Sequence, residues 1–504
     1  MAVVIDTLGE PPKLDDKLPP EGAEAADAAD AAAAEAGAEA GLPPGEERLR
    51  VWPSFASTRF ASKRVQLESH LTEPSGSWLR ALYILVSSTS QPGILTLPYA
   101  LASLGWAGGI LVLLCTGAYT LLANVLLAKL HHYDGRRHIH YRGLAKEIMG
   151  PRHKWAYYST FIPQFVVILG CGIANLVLAA DCLQQICGLY YTNDDCPVAQ
   201  YQWTIILGAT LVLLAQLPDL GSSDVLTASC SAFLVFYSIA SMALAGVQGG
   251  GRDADYSLVG SRMDKIMNGF NALGMFVFMF TNPIVPEIQA TLAADPATGS
   301  SYRPMRRALV VSYSGITALF LCVSIVGYWA YGSSVGSFLL AMSSHPKWLV
   351  ITCNIMIVIQ LLVGEQVFEY ILYESMEVGL VELTPKSRVL HKVRQDARGR
   401  RVLVPSRITM LLVRVTYIAI ITAIAAAFPF FTQLMGAVGA LGFTPLCLIL
   451  PAVLFLMARG SQLAPWQRWG LGGLAATFTG LGVLAAVGAV RSIVVAIQQH
   501  AFFS

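Results

Sequence analysis

The sequence predicts an all-α polytopic membrane protein with eleven transmembrane helices. Three observations carry that prediction. Only 13% of the 504 residues are charged and 55% are hydrophobic, whereas a soluble domain carries about 25% charged residues. The mean hydropathy is +0.56. The apolar residues stand in long blocks separated by short polar ones, as helices of about 20 residues must to cross a bilayer. Such blocks are too long for the alternating strands of an outer-membrane barrel, which run to about ten residues. A soluble multidomain enzyme is excluded, and a formal net charge of only +2 excludes a nucleic-acid binder held by charge.

Residues 1–50 hold 12 acidic and 4 basic side chains, leaving the rest of the chain basic. This part is Ala-rich, with Ala31 to Ala34 in one run, and almost free of aromatics. It buries too little apolar surface to offset chain entropy, so residues 1–75 read as a disordered acidic tail followed by a basic juxtamembrane segment. No basic start leads into an apolar run and a cleavage site, so the tail does not read as a secretory signal. The transmembrane domain is expected over 76–498, with a short tail at 499–504.

The eleven spans fall at 79–100, 106–130, 155–188, 203–217, 224–247, 266–293, 307–331, 348–378, 407–428, 430–458 and 469–490. The third and eighth exceed the bilayer thickness, which implies tilt or projection into water. The fourth is the shortest. With the N-terminus cytoplasmic, the inner flanks and loops collect 25 Lys and Arg and the outer ones five, and the positive-inside rule then fixes the orientation. Seven of the nine cysteines sit inside apolar blocks and act as small hydrophobes. Cys187 and Cys196 bracket an outer loop without Lys or Arg. An oxidising compartment permits a disulfide there, and two free thiols remain an equal reading.

Two spans carry their own interruption. In the first, five polar residues, Ser87-Ser88-Thr89-Ser90-Gln91, run directly into Pro92-Gly93. Such a run wraps every face of a helix, so it must line protein or a wet cavity, and Pro removes a backbone donor. In the sixth, an apolar run ends in Thr281-Asn282-Pro283-Ile284-Val285-Pro286-Glu287. Two Pro-interrupted spans five helices apart point to a transporter of two inverted five-helix repeats, whose broken helices offer backbone N–H and C=O groups near the midplane. Paired proline kinks repaired by neighbouring helices are the simpler alternative.

The motifs narrow this further. Ile94-Leu95-Thr96-Leu97-Pro98-Tyr99-Ala100 followed by Leu104-Gly105-Trp106 resembles the opening span of the amino acid/auxin permease family. Gly135-Arg136-Arg137-His138-Ile139 resembles the first inner loop of its plant GABA-transporter subfamily. Gln216-Leu217-Pro218, Asp255-Tyr256-Ser257-Leu258, Pro286-Glu287-Ile288-Gln289-Ala290-Thr291-Leu292, Gly327-Tyr328-Trp329 and Val438-Gly439-Ala440-Leu441-Gly442-Phe443 continue the likeness in order, from about Gly76 to the C-terminus. The resemblance implies a five-plus-five (LeuT/APC-like) amino-acid transporter with broken helices 1 and 6, driven by protons as coupling ion and needing no cofactor. It implies GABA, proline or other small neutral amino acids as substrates. The chain departs from its relatives at Gln91-Pro92 and at Thr281-Asn282-Pro283, where they tend to have small residues or a glycine-containing turn. Both departures lie where the amino acid is expected, so the resemblance leaves the substrate open.

The substrate carboxylate is expected at the backbone N–H groups around Gly93, Ile94 and Leu95, with Ser88, Ser90 and Gln91 close by. Phe280, Thr281 and Asn282 are expected to give carbonyls for the ammonium and a wall; Phe280 alone reads as packing. Two carboxylates are candidates for proton coupling. Glu287 follows the sixth-span break, where capping freed N–H groups is an equal reading. Glu365 lies in the inner part of the eighth span, and Glu369 and Glu377 follow at helical spacing on what reads as a wet or cytoplasmic face. No Ser/Thr pair stands beside Gly364-Glu365 to make a sodium site. Arg414, in the ninth span, is expected to snorkel inward. His131, His132, His138, His140 and His153 crowd one inner loop, but no Cys or paired carboxylate completes a metal set; a solvated loop or a contact with anionic lipid fits better.

The expected function is therefore proton-coupled amino-acid symport by alternating access. The plasma membrane is expected ahead of the vacuole. An amino-acid-binding membrane sensor with little net transport is the competing class. No nucleophile–base pair, metal motif or phosphate loop suggests an enzyme.

Overall fold

A computed structural model of the chain describes residues 76–499 except 90, 135, 139–140, 151–153, 192–195, 217–223, 250–253, 296–298, 385–386, 388 and 396–400. The terminal tails, Ser90, His140 and His153 lie outside the described residues. Nine helices among those described are long and apolar enough to cross a membrane. They cover nine of the eleven expected spans. In the other two the helices are shorter than that.

The segment expected at 79–100 is divided. Helix α1 (Trp78–Thr89) is only 12 residues long. It gives way at Gln91, whose φ of −92° and ψ of 166° are extended, and a 3-10 turn follows over Pro92–Thr96. Helix α2 (Leu97–Leu130) then continues to a turn at Gly105, whose φ of 73° suits glycine and breaks the helical path. The first and second spans thus meet at Gly105 without a loop. The other short segment is α5 (Gln200–Leu214), an apolar helix of 15 residues.

Between these lie two inner strands, β1 (His132–Tyr133) and β2 (Arg136–Arg137), and helices α3 (Tyr141–Met149) and α4 (Lys154–Tyr190). Helix α6 (Asp224–Gln248) follows α5. Helix α7 (Arg262–Phe280) opens on a reciprocal cap. The Ser261 hydroxyl accepts from the Asp264 N–H at 3.2 Å, and the Asp264 carboxylate accepts from the Ser261 N–H at 3.2 Å. The helix ends at Thr281 in extended conformation and resumes as α8 (Val285–Ala290), whose Pro286 stands in the first turn, where a helix has no N–H to lose. Then come α9 (Tyr302–Tyr331), α10 (Lys347–Leu383), a hairpin of β3 (His391–Gln395) and β4 (Arg401–Pro405), and α11 (Arg407–Ala427), capped by Ser406. Helix α12 (Phe431–Val438) widens into a π segment over Gly439–Ile449 around Pro445, which has no N–H to close an ordinary turn. Helices α13 (Leu450–Arg459) and α14 (Pro465–Gln499) complete the chain.

Helix α7 is the central pillar. Its span is 89% buried, whereas that of α14 is 28% buried. In an apolar chain that difference separates a helix surrounded by protein from one that faces lipid. Gly274, Gly436 and Gly439 allow α7 and α12 to cross with their backbones touching: a Cβ on Gly274 would fall on the carbonyl oxygen of Gly436, and one on Gly439 on that of Gly274. Around this pillar α2 packs on α7 and α9, α4 on α10, and α5 on α11.

At the end that the charge bias assigns to the outside, the loop residue Tyr256 meets Tyr328 edge-on at 5.4 Å, and Trp106 lies 4.6 Å from Tyr328. Two of the quoted motifs and the Gly105 turn thus form one aromatic cluster. The Asp255 carboxylate is held below its ordinary range by hydrogen bonds from the Ser257 hydroxyl and N–H. Cys187 and Cys196 form a disulfide with an S–S distance of 2.01 Å, and the other seven cysteines are free.

Candidate functional site

The two interruptions lie against each other, and one side chain joins them. Asn282, 1% exposed, donates from Nδ2 to the Ser88 hydroxyl at 2.7 Å and to the Thr89 hydroxyl at 3.1 Å. Its Oδ1 accepts from the Ile284 N–H at 3.0 Å, so the same residue fixes the turn that leads into α8. The Ser88 hydroxyl itself donates back to the Ile84 carbonyl at 2.7 Å. Polar residues that read as freed for a ligand therefore also hold the two breaks together.

The walls around this clamp are built from α2 and α9. The Tyr313 hydroxyl donates to the Phe280 carbonyl at 3.1 Å and accepts from Asn124 Nδ2 at 2.7 Å. Thus the last carbonyl of α7 is engaged by α9, which α2 steadies in turn. The Phe280 ring packs edge-on against Phe320 at 5.0 Å, and a Cβ on Gly117 would come within 2.9 Å of it. Thr281 turns its hydroxyl to the Val277 carbonyl at 2.8 Å.

On the other break, Pro92, Gly93, Ile94, Leu95 and Thr96 are all buried. A Cβ on Gly93 would meet Met279 Sδ at 2.9 Å and Met435 Cε at 3.3 Å, so this backbone is covered by the movable ends of two methionines. The Oε1 atom of Gln91 is buried and accepts no hydrogen bond among the described residues. Ser88, Gln91, Gly93, Ile94, Leu95, Phe280, Thr281 and Asn282 are thereby gathered in one region.

The two candidate carboxylates occupy different places. Glu287 is half-buried in the first turn of α8, a position that suits a negative charge. Burial raises the Tyr141 phenol of α3 well above its ordinary value, and the charges of Cys447 and Glu287 add to that. Glu365 is 3% exposed and accepts a hydrogen bond on Oε1 from Asn175 Nδ2 of α4.

Glu365 is not alone. Glu369, Tyr373 and Glu377 follow on the same face of α10, with exposures of 0%, 2% and 5%. The face read from sequence as wet is therefore buried. It meets α4 and α11, whose small residues, tyrosine and arginine complement it. Glu369 Oε2 accepts from the Tyr373 hydroxyl at 2.5 Å. Glu377 Oε1 accepts from Arg414 Nε at 3.0 Å, and the Arg414 guanidinium also donates to the Ala215 carbonyl and lies 5.4 Å from the centre of the Tyr373 ring. Arg414 is thus an internal partner linking α5, α10 and α11, where the sequence suggested a snorkelling side chain. The correction has one cause: helical spacing shows which residues share a face, not which helix that face meets.

Sequence reasoning missed Asn124, Asn175, Tyr313 and Tyr417. A signal existed for the first two, since a lone Asn in an apolar span is costly without a partner. Among the described residues no group of three or more His, Cys, Asp or Glu is placed to hold a metal ion.

Residues 74–495 match the family model described as transmembrane amino acid transporter protein. The chain is 30% identical to "GABA transporter 1" of Arabidopsis thaliana over 443 residues, covering 85% of this chain and 93% of that protein. It is 28% identical to "Lysine histidine transporter-like 6" of the same plant, over 81% of this chain and 88% of the relative. Among solved structures, that of MhsT in complex with L-phenylalanine superposes with a TM-score of 0.48 at 13% identity, over 84% of this chain and 98% of that one. The relatives are named as transporters and not as enzymes. With its apolar helices, its interrupted spans and a family match over most of its length, the chain belongs to the transmembrane amino acid transporter family and is a multi-pass integral membrane protein.

Proposed function

We propose that the protein is a proton-coupled symporter of small amino acids such as GABA, proline or other neutral amino acids, working by alternating access. The observation that carries this reading is the pair of helix interruptions joined through Asn282. Helix ends buried within a bundle offer backbone charge to a zwitterion where side chains would be too bulky. In this reading the N–H groups around Gly93, Ile94 and Leu95 receive the carboxylate, with Ser88 and Gln91 beside them. The unpartnered Gln91 Oε1 and the backbone from Phe280 to Asn282 receive the ammonium. Opening the site requires Met279 and Met435 to move off Gly93, a change that flexible thioether side chains make cheaply.

The eleven crossings, the five-plus-five arrangement, a cytoplasmic N-terminus and a plasma-membrane location belong to the same proposal, as do anionic lipids at the basic inner loops. GABA is included because a relative carries that name. Protons are the coupling ion, with Glu287 and Glu365 as the candidate carriers. The test is uptake of labelled GABA, proline and alanine into proteoliposomes under a proton gradient, a sodium gradient or neither. Accumulation that follows the proton gradient and collapses with an uncoupler supports the reading. Binding without uptake under any gradient overturns it and leaves an amino-acid sensor.

A further inference from the structure

Between α4, α10 and α11 the structure holds more acidity than it neutralises. Glu365 Oε2 and Glu369 Oε1 converge on one spot on α4. A Cβ on Gly172 would lie 3.4 Å from the first and 3.1 Å from the second. A glycine at this point of α4 lets both groups approach the helix closely. The other oxygen of each carboxyl is engaged, by Asn175 and by Tyr373. These two converging oxygens are buried and have no hydrogen-bond partner among the described residues.

A second, independent observation points into the same space. The Tyr417 hydroxyl of α11 is also buried and without a partner among the described residues, in a side chain 3% exposed. Its ring stands edge-on to Tyr373, the residue that holds Glu369, at 5.5 Å. The other titratable groups facing the pair are Cys171 on α4 and, toward the inner end, Arg414 and Glu377, which are paired at 3.0 Å. Tyr237 on α6 faces α10 further along, with Cys353 of α10 beside it. Arg414 is the one cation among these groups, and its charge is spent on Glu377.

Two carboxylates without a cation cannot both stay ionised in such a place. Taking one ion out of water costs several kcal/mol even after relaxation, and like charges side by side add to that. One proton changes the arithmetic. A protonated carboxyl is a donor, and its neighbour is the acceptor that lacks one. We propose that Glu365 and Glu369 share a single proton in this structure and that this proton is the one exchanged during transport. The inference rests on the symport reading above and deepens it.

The Tyr417 hydroxyl then has a defined part. When the proton leaves, it is the uncommitted donor that can turn to the remaining charge. Position supplies the coupling. Helix α10 packs against the 3-10 turn at Pro92–Thr96 as well as against α4, so movement at the substrate break is transmitted to the spacing between Gly172 and the two carboxyls. The Arg414–Glu377 pair lies two turns further along α10.

The experiment uses the purified full chain in proteoliposomes, with whichever of labelled GABA, proline and alanine it exchanges. An inward gradient of about one pH unit drives about tenfold accumulation of a zwitterion by a one-proton symporter. The wild type is expected to reach that ratio, while Glu365→Gln and Glu369→Gln are expected to equilibrate only, near onefold, and still to exchange labelled for unlabelled substrate at equal pH. Wild-type accumulation by Glu369→Gln overturns the proposal. If the Gln variants neither accumulate nor exchange, Tyr417→Phe decides. Removing a donor to the charged form raises the proton affinity, so the pH profile of uptake should move to higher pH; an unmoved profile overturns the proposal. A wild type that exchanges but ignores the proton gradient refutes the symport reading itself, and a sodium-dependent result replaces the proton with a cation.

Discussion

At the two helix interruptions most polar side chains are engaged by one another, whereas around Glu365 and Glu369, between α4, α10 and α11, three buried polar atoms have no hydrogen-bond partner among the described residues. Asn282 uses both amide hydrogens and its oxygen to tie Ser88, Thr89 and Ile284 together. Glu365 Oε2, Glu369 Oε1 and the Tyr417 hydroxyl have no such partner among the described residues. Both regions are polar insertions in an apolar bundle, and their chemistry differs accordingly. A satisfied polar network fixes geometry, and an unsatisfied buried one is retained only where something else comes to fill it. In the proposed reading the breaks set the shape of the site, and the seam between α4, α10 and α11 holds the exchangeable proton.

Three substitutions separate these roles, and the largest effect is expected at neither. Gly274→Val places side-chain atoms on the carbonyl of Gly436, where the backbone leaves no space. It should cost about 3 kcal/mol or prevent assembly altogether, since overpacking a close backbone crossing cannot relax through side chains. Thermal unfolding in detergent reads this directly. Asn282→Ala removes the donors to the Ser88 and Thr89 hydroxyls and strands the Ile284 N–H, and should cost about 2 kcal/mol. Its melting temperature should fall even in the absence of substrate, which marks a clamp; an unchanged melting temperature with weakened binding would mark a ligand contact instead. Tyr417→Phe should leave the melting temperature almost unmoved, because a hydroxyl without a partner gives the fold nothing to lose. A destabilisation as large as that of Asn282→Ala would mean that Tyr417 is structural and that the contrast between the two regions is false.

Much of this architecture was legible in the sequence. The interruptions were readable because Pro92 and Gly93, and Pro283 and Pro286, have local backbone consequences that no tertiary contact removes. Nine of the eleven apolar blocks correspond to helices long enough to cross a membrane among the described residues, although the boundary expected at 100–106 falls inside α2. What depends on distant partners was not. Nothing near Glu365 announces Asn175, which lies 190 positions away, and nothing near Arg414 announces Glu377 as its partner across a loop and hairpin. The π segment at Gly439–Ile449 was hidden for a different reason. A proline inside a long apolar run is compatible with a kink, a break or a widened turn, and the packing of α12 on α7 selects among them. Likewise, the polar run at Ser87 to Gln91 announced a buried polar site without saying that Asn282 would occupy its hydroxyls.

In the proposed reading substrate movement and proton movement are one event. That reading is tested most directly by adding an amino acid that the protein exchanges to proteoliposomes that have equal pH on both sides and carry a pH-sensitive dye inside. The account predicts that substrate entry acidifies the interior, that an uncoupler abolishes the signal, and that Glu369→Gln gives substrate entry without acidification. Substrate entry into wild-type vesicles with no change in internal pH would contradict it.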